Sequence, residues 1–222
     1  MDTEVSTPDR SRLLDWLFRL LGFTAMVGVA FTLPLFPVLE LDSSWRQAIG
    51  RFLFGGLQFG TEVVFTYGPL GFAMGKTYWG AQWETLIGWH IIQSIVFSAV
   101  IYWHAYQLKG YSRIFFFGFF FLFGLSYQDS IHQTIIAFAG LALIRNSSQP
   151  WRWTSLFWQI LLVILSLVKF TNMLVAFFLV MLAGALAFYR ERRWQSLRTP
   201  LLFVALFLLG WRLCGQIGRA HV

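Results

Sequence analysis

The chain has 222 residues, of which 57% are hydrophobic, 19% aromatic and only 12% charged; its mean hydropathy is +0.62 and its net charge +7. Soluble domains are roughly 45–50% apolar and about 25% charged, and their surfaces are covered largely by polar atoms, so the composition excludes a cytosolic enzyme and a disordered tail. The single cysteine, Cys214, excludes a disulfide framework and a cysteine-based zinc site.

Six apolar stretches, the longest of which is divided into two, predict an all-α integral membrane protein with about seven spans, the last of them truncated. A crossing helix needs about 20 mostly apolar residues, and the first candidate is Leu13–Leu39, which ends at Pro34 and Pro37 and does not fit a cleaved signal peptide. Trp153–Tyr189 would form a helix of about 55 Å at 1.5 Å per residue, so we divide it near Lys169–Asn172. The other predicted spans are Leu86–Gln107, Ile114–Tyr127, Ile131–Ile144 and Leu201–Trp211.

The basic residues predict the orientation. With residues 1–12 in the cytoplasm, Lys and Arg gather on every second loop between the predicted spans, as the positive-inside rule requires. The only charged residues of the short outer turns are Asp129 and Lys169. The pattern predicts a multi-pass protein of the inner (plasma) membrane, and we expect a lipid bilayer and no nucleic acid as its partner. The cytoplasmic basic residues are Arg10, Arg12, Lys109, Arg113, Arg145, Arg152, Arg190, Arg192, Arg193 and Arg198.

The segment 40–85 is predicted to be a large first outer loop. Ser43 or Ser44 is expected to cap a short amphipathic helix that lies in the membrane interface. Gly68-Pro69-Leu70-Gly71 then indicates a turn, and the apolar loop is predicted to fold back over the helices as a lid. The apolar residues that recur at helical spacing in the short helix are Trp45, Ile49, Phe52 and Leu53.

Three acids are candidate catalytic residues. Asp42, just beyond the first span, can accept a proton or hold a divalent cation; alternatively it caps a helix. Glu62 precedes the turn and is otherwise an ordinary loop acid. Asp129 is either a turn residue or an acid that faces a recessed cavity, where a functional role is expected.

Lys169 interrupts the longest apolar stretch of the chain. Such a lysine can pair with a phosphate or a carboxylate, or it can extend to the membrane surface from a helix end. The chain has no Walker loop, dinucleotide fingerprint, HExxH or GxSxG motif.

The C-terminal segment 212–222 is expected to be a truncated end. Residues 217–222 match a translation of ATCGGAAGAGCACACGTC, which looks like a common sequencing-library adapter. We therefore expect 217–222 not to belong to the natural protein, 13–211 to form the transmembrane domain, and the chain to be the front part of a longer protein.

The order of these features resembles the N-terminal half of GT-C membrane glycosyltransferases, such as protein mannosyltransferases and aminoarabinose transferases. Asp42 occupies the place of the acid after the first span, Asp129 matches a second outer acid, and Lys169-Phe170-Thr171 looks like a Lys-aromatic-Thr stretch common in that family. Leu41-Asp42-Ser43-Ser44-Trp45, followed by Phe65-Thr66-Tyr67-Gly68-Pro69-Leu70-Gly71-Phe72, also resembles bacterial membrane proteins of this superfamily. The family's paired Asp-Glu is absent, although Glu40 lies two residues before Asp42.

The resemblance implies an inverting sugar transfer from a polyprenyl phosphate to an acceptor hydroxyl outside the cell membrane. Asp42 would act as the base, and Lys169, Arg46 or Arg51 would bind the lipid phosphate; Asp42 and Glu40 are the residues for a divalent cation if one is used. The alternatives are a transporter or flippase subunit that uses His90, His104, Asp129 and Lys169 as a path, and a non-catalytic membrane protein whose outer loop docks a partner.

Overall fold

The computed structural model describes residues 10–36, 41–59, 62–63, 66–75, 77–78, 83–124, 128–146, 153–192 and 194–214. These parts of the chain are mainly helical, and the β pairings found in them are isolated bridges. The helices are α1 (Arg10–Ala30), α2 (Leu41–Phe54), α3 (Trp83–Ala105), α4 (Tyr111–Gly124), α5 (Gln128–Arg145), α6 (Trp153–Ser166), α7 (Phe170–Glu191) and α8 (Arg198–Leu213), with 3₁₀ turns at Gly71–Met74 and Trp194–Leu197.

Each predicted span coincides with a helix, but several boundaries differ from the prediction. The division of Trp153–Tyr189 is confirmed, with the break at 167–169 rather than 169–172. α5 begins at Gln128, three residues before its predicted start, and so includes Asp129 in its first turn. A carboxylate there is favoured because the amino end of a helix carries partial positive charge.

The first helix is shorter than predicted: α1 ends at Ala30, not at Leu39. Proline disfavours helical backbone at the preceding residue, and Pro34 follows this end by four residues. The carbonyl oxygen of Thr32 accepts a hydrogen bond from Nδ1 of His90 at 2.5 Å. This bond gives the Thr32 carbonyl, which lies beyond the end of α1, a hydrogen-bond partner from outside that helix.

Three described helices are long and apolar enough to cross a membrane, at Leu13–Ala30, Trp83–Ala105 and Phe170–Arg190. Tyr111–Leu122 and Trp153–Ser166 are apolar but shorter. Large side chains on these helices are exposed, including Trp16, Phe18 and Phe178. So much exposed apolar surface indicates a membrane protein, whereas the number of crossings and the orientation stay predictions.

The chain divides into two compact units, the first comprising Met1–Phe31 and Ile91–Ser126. In this unit α1 packs against α4. Its buried residues include Met26 of α1 and Phe97 and Ile101 of α3. Tyr102 also joins α3 to α1, because its hydroxyl donates to the carbonyl oxygen of Arg19 at 3.2 Å.

The second unit comprises Thr32–His90 and Tyr127–Val222. Here α5 packs against α6 and α7, and α8 packs against α6 and α7. Glycines let these helices approach closely, as small residues often do between membrane helices: a Cβ on Gly140 of α5 would lie 2.6 Å from Leu179 of α7, and one on Gly184 of α7 would lie 3.1 Å from Pro200 of α8. The buried small residues of α7 are Ala176, Val180, Ala183, Gly184 and Ala187.

Candidate functional site

A short segment, Thr66–Leu70, lies against the break between α6 and α7, and we call it the strap. The amides of Gly68 and Leu70 donate to the carbonyl oxygens of Val168 and Leu167, both at 3.0 Å, and the amide of Phe170 donates to the carbonyl of Thr66 at 2.8 Å. The strap thus supplies partners for backbone groups that the interrupted helices leave without intrahelical bonds.

The loop around the strap also packs on this break. Ala73 and Met74 form a buried cluster with Val168, which follows the end of α6. Ile49 of α2 forms a second cluster with Phe59 and Val63, against which Trp211 of α8 packs. These contacts bring residues of the loop against Val168 and α8, whereas its role as a lid stays a prediction.

An ion pair lies beside the strap. Nζ of Lys169 lies 3.1 Å from Oδ1 of Asp129, and the lysine side chain is 21% exposed against 53% for the aspartate. Burial alone would lower the pKa of Lys169, but its interactions with Asp129 and Tyr67 together outweigh that effect and raise the pKa above its ordinary value. Lys169 is therefore a cation at neutral pH, with a carboxylate that holds it in place.

Tyr67 of the strap joins this ion pair to α2 and to a cavity. Its ring lies 5.2 Å from Nζ of Lys169 and stacks on Trp45 with a centroid separation of 4.9 Å. The ring also lines a cavity of about 360 Å³ together with Ser166, Gly68 and apolar residues of α7 and α8. The apolar lining residues are Phe170, Met173, Phe207, Leu208 and Trp211.

The predicted loop contains a helix, α2, whose start differs from the prediction and whose location in the membrane interface stays a prediction. α2 begins at Leu41, before Ser43 and Ser44, so neither serine stands at the predicted cap position. Asp42 lies in the first turn of α2, three residues before Trp45. Glu40 and the side chain of Asp42 lie outside the described part of the structure, so the proposed cation site stays a prediction.

The other predicted site residues contact different partners. The Arg46 guanidinium lies 5.1 Å from the ring of Trp45, the aromatic residue that stacks on Tyr67. Arg51 is exposed and lines a surface groove next to Phe52. Glu62 is exposed and accepts a hydrogen bond from the backbone amide of Gln58 at 2.6 Å, which is the contact expected of an ordinary loop acid.

Two hydrogen bonds of Asn172 connect the helices next to the ion pair. Nε2 of Gln133 donates to Oδ1 of the buried Asn172 at 2.7 Å, and Nδ2 of Asn172 donates to the carbonyl of Leu165 at 3.3 Å. Asn172 thereby connects α5 and α7 to the end of α6. His132, one turn after Asp129, is fully buried, and the charges of Asp129 and Lys169 both act on it.

Tyr67 was not among the predicted site residues. The sequence feature that could have identified Tyr67 is its position directly before Gly68-Pro69, because a turn holds a neighbouring side chain in a fixed place. Among the described residues, no group of three or more His, Cys, Asp or Glu side chains is arranged to hold a metal ion.

The fold and this site define a mainly helical protein with membrane character. In it, an ion pair between a lysine and an aspartate lies beside the strap. No family model, curated protein or solved structure matches the chain.

Proposed function

We propose that the chain is the membrane domain of a glycosyltransferase of the GT-C kind, which takes a sugar from a polyprenyl phosphate at the outer membrane surface. In this proposal the chain crosses the membrane seven times and residues 40–85 lie outside. The observation that supports it is the position of Tyr67, which contacts Lys169 and also lines the apolar cavity. A cation next to an apolar cavity suits a ligand with a phosphate and a long hydrocarbon chain.

Lys169 is the group proposed to bind the lipid phosphate. An ammonium forms strong charge-assisted hydrogen bonds to phosphate oxygens, and Asp129 holds the ammonium in place before the lipid arrives. Asp129 is exposed enough to turn away when a phosphate takes its place on Lys169. In this assignment Asp129 positions Lys169 rather than acting as the base, while Arg46 is a second cation, near Trp45, for the same phosphate.

Asp42 is proposed as the base. Its carboxylate takes the proton of the acceptor hydroxyl as that oxygen bonds to the anomeric carbon, and the bond from that carbon to the phosphate oxygen breaks. The electron pair leaves with the lipid phosphate, whose growing negative charge Lys169 stabilises. The sugar inverts because the acceptor attacks opposite the leaving phosphate. A divalent cation at Asp42 and Glu40 would add to this stabilisation.

Binding tests the phosphate assignment first, because it needs no knowledge of the acceptor. The purified chain in detergent would be titrated with a polyprenyl phosphate and with the matching neutral polyprenol. We expect preference for the phosphate, and we expect Lys169→Gln to weaken phosphate binding about tenfold, the loss of one charge-assisted contact of roughly 1.4 kcal/mol. Arg190→Gln, at the opposite end of α7, is the matched control and should bind as the wild type does.

Transfer from a radiolabelled polyprenyl-phosphate sugar tests the base. Asp42→Asn should reduce turnover by about 10²–10⁴-fold, the usual contribution of a positioned acid or base, with lipid binding unchanged. Equal phosphate binding by the wild type and Lys169→Gln, or normal transfer by Asp42→Asn, would contradict the proposal.

A transporter is the second candidate, and the buried histidines favour it. His132 and His90 are almost completely inaccessible, and the charges of His90, Asp129 and Lys169 act on His132. Ionisable groups inside membrane helices often form transport paths. Proteoliposomes with a pH-sensitive dye inside separate the two functions: flux that His132→Gln abolishes, without any sugar-containing product, would favour transport.

A further inference from the structure

We propose that the first compact unit binds one anionic phospholipid, whose acyl chain occupies a cavity formed by α1, α3 and α4 and whose phosphate lies at Arg19 and Arg113. This site is distinct in its residues from the proposed sugar-transfer site, and it stands whether or not that function is correct.

The cavity has a volume of about 660 Å³ and a mainly apolar lining. This volume lies within the range of roughly 300–1,000 Å³ that is typical of small-molecule sites. Because the surrounding helices expose large apolar side chains, a hydrocarbon chain can enter it from a bilayer. Lining residues that would contact the chain are Phe18, Ala25 and Met26 of α1 and Ile114, Phe117 and Leu122 of α4.

Two guanidinium groups lie beside Tyr106, a residue that lines this cavity. The ring of Tyr106 lies 5.0 Å from Cζ of Arg19 and 4.9 Å from Cζ of Arg113, and Arg19 and Tyr106 both line the cavity. Nε and Nη2 of Arg113 donate to the carbonyl oxygen of Leu108 at 3.1 and 2.7 Å. The guanidinium of Arg113 is therefore held in one orientation beside the ring of Tyr106.

The charges around Tyr106 select an anionic headgroup. Asp15 forms an ion pair with Arg19, and Arg113 adds a second positive charge beside Tyr106. Lys109, which is exposed, follows Tyr106 by three residues in the chain. Guanidinium groups bind phosphate through paired hydrogen bonds, and each cation near a membrane surface contributes about 1 kcal/mol to the attraction of anionic lipid. The predicted orientation places these charges at the cytoplasmic leaflet, where anionic phospholipids are attracted to basic segments.

Two glycines allow the cavity to be tested by filling it. Gly118 of α4 lines the cavity, and a Cβ built on it has no protein atom within 4 Å. Gly118→Leu should therefore occupy the space of the acyl chain without a clash. Gly28 of α1 has the same open surroundings but does not line the cavity, so Gly28→Leu is a control of identical chemistry.

Native mass spectrometry of the full chain would measure binding of phosphatidylglycerol and of phosphatidylcholine with the same acyl chains. We expect one phosphatidylglycerol per chain to bind more tightly than phosphatidylcholine. Gly118→Leu should abolish that binding and Gly28→Leu should retain it. Arg113→Gln should weaken it roughly fivefold, the loss of about 1 kcal/mol for one cation, and Arg113→Lys should restore most of the affinity.

Circular dichroism and a single size-exclusion peak would establish that each variant folds. Equal binding of the two lipids would overturn the charge assignment, and retained binding by Gly118→Leu would overturn the location. A dimer that dissociates in Gly118→Leu would show that a second copy, rather than a lipid, fills the cavity.

Discussion

Gly68 lies so close to Leu167 that a side chain on the glycine would overlap the carbonyl oxygen of the leucine. This approach lets the Gly68 amide donate to Val168 at 3.0 Å. It also positions the backbone of the neighbouring residue, Tyr67, for an isolated β-bridge with Lys169. The geometry of the candidate site therefore depends on having a glycine, which has no side chain, at residue 68 of the strap.

Gly68→Ala should separate the strap from the break between α6 and α7. The overlap is with backbone, which cannot rotate away, so we expect a loss of about 1–3 kcal/mol in the free energy of unfolding, as for other overpacked sites. Unfolding of the purified protein in mixed micelles measures the loss. Gly88→Ala is the matched control, because its Cβ meets no atom within 4 Å; it should leave stability unchanged or raise it by up to about 1 kcal/mol.

The Asp129–Lys169 pair should show a measurable coupling energy. Lys169 is mostly buried, and Asp129 holds it from a different helix, so a double-mutant cycle with Asp129→Asn and Lys169→Met should give about 1 kcal/mol. The exposed pair of Asp15 and Arg19, four residues apart on α1, provides the comparison and should give a smaller coupling energy, because solvent screens it. A coupling at Asp129–Lys169 no larger than this would show that the pair does not fix Lys169.

The same pair predicts how stability changes with pH. The folded protein raises the pKa of Lys169 above its ordinary value of 10.5, because its interactions with Asp129 and Tyr67 together exceed the effect of burial. A raised lysine pKa contributes stability that is fully present below the ordinary value and is lost as the pH rises through the folded value. The stability difference between the wild type and Lys169→Met should therefore be constant from neutral pH to about 9.5 and fall above 10.5. A difference that already falls near pH 8 would contradict the raised pKa.

The sequence predicted the helices better than it predicted the site. Each apolar run coincides with a described helix, while the number of membrane crossings stays a prediction. Lys169 with its polar neighbours located the break in Trp153–Tyr189, because a membrane helix cannot use that length. The helix boundaries depended on tertiary contacts: α1 ends shortly before Thr32, whose carbonyl oxygen accepts a hydrogen bond from His90. The pairing of Asp129 with Lys169 could not be read from the sequence, since opposite charges on two separate turns do not specify which partners meet.

Asn172 should be the most sensitive polar residue inside the second unit. It is fully buried and bonded to both Gln133 and the carbonyl of Leu165. Asn172→Ala leaves these groups without their partner, so we expect a loss of about 1–3 kcal/mol. Adding Gln133→Ala should cost little more, because the two side chains share one hydrogen bond; additive losses in the double variant would contradict this bond.

Thiol labelling can test the orientation, because the chain has a single cysteine, Cys214. On a Cys214→Ser background, cysteines would replace the exposed residues Glu62 and Lys109 one at a time. A membrane-impermeant maleimide added to intact cells should label Glu62→Cys, and should label Lys109→Cys only after permeabilisation, as the distribution of basic residues requires.

Ala139→Cys is the control for access in this experiment. Ala139 is completely buried in α5, so its thiol should resist the reagent in both conditions while the protein stays folded. Labelling of Glu62→Cys only after permeabilisation would reverse the orientation. The Asp129–Lys169 pair would then face the cytoplasm, and a sugar transfer outside the membrane would no longer be possible at this site.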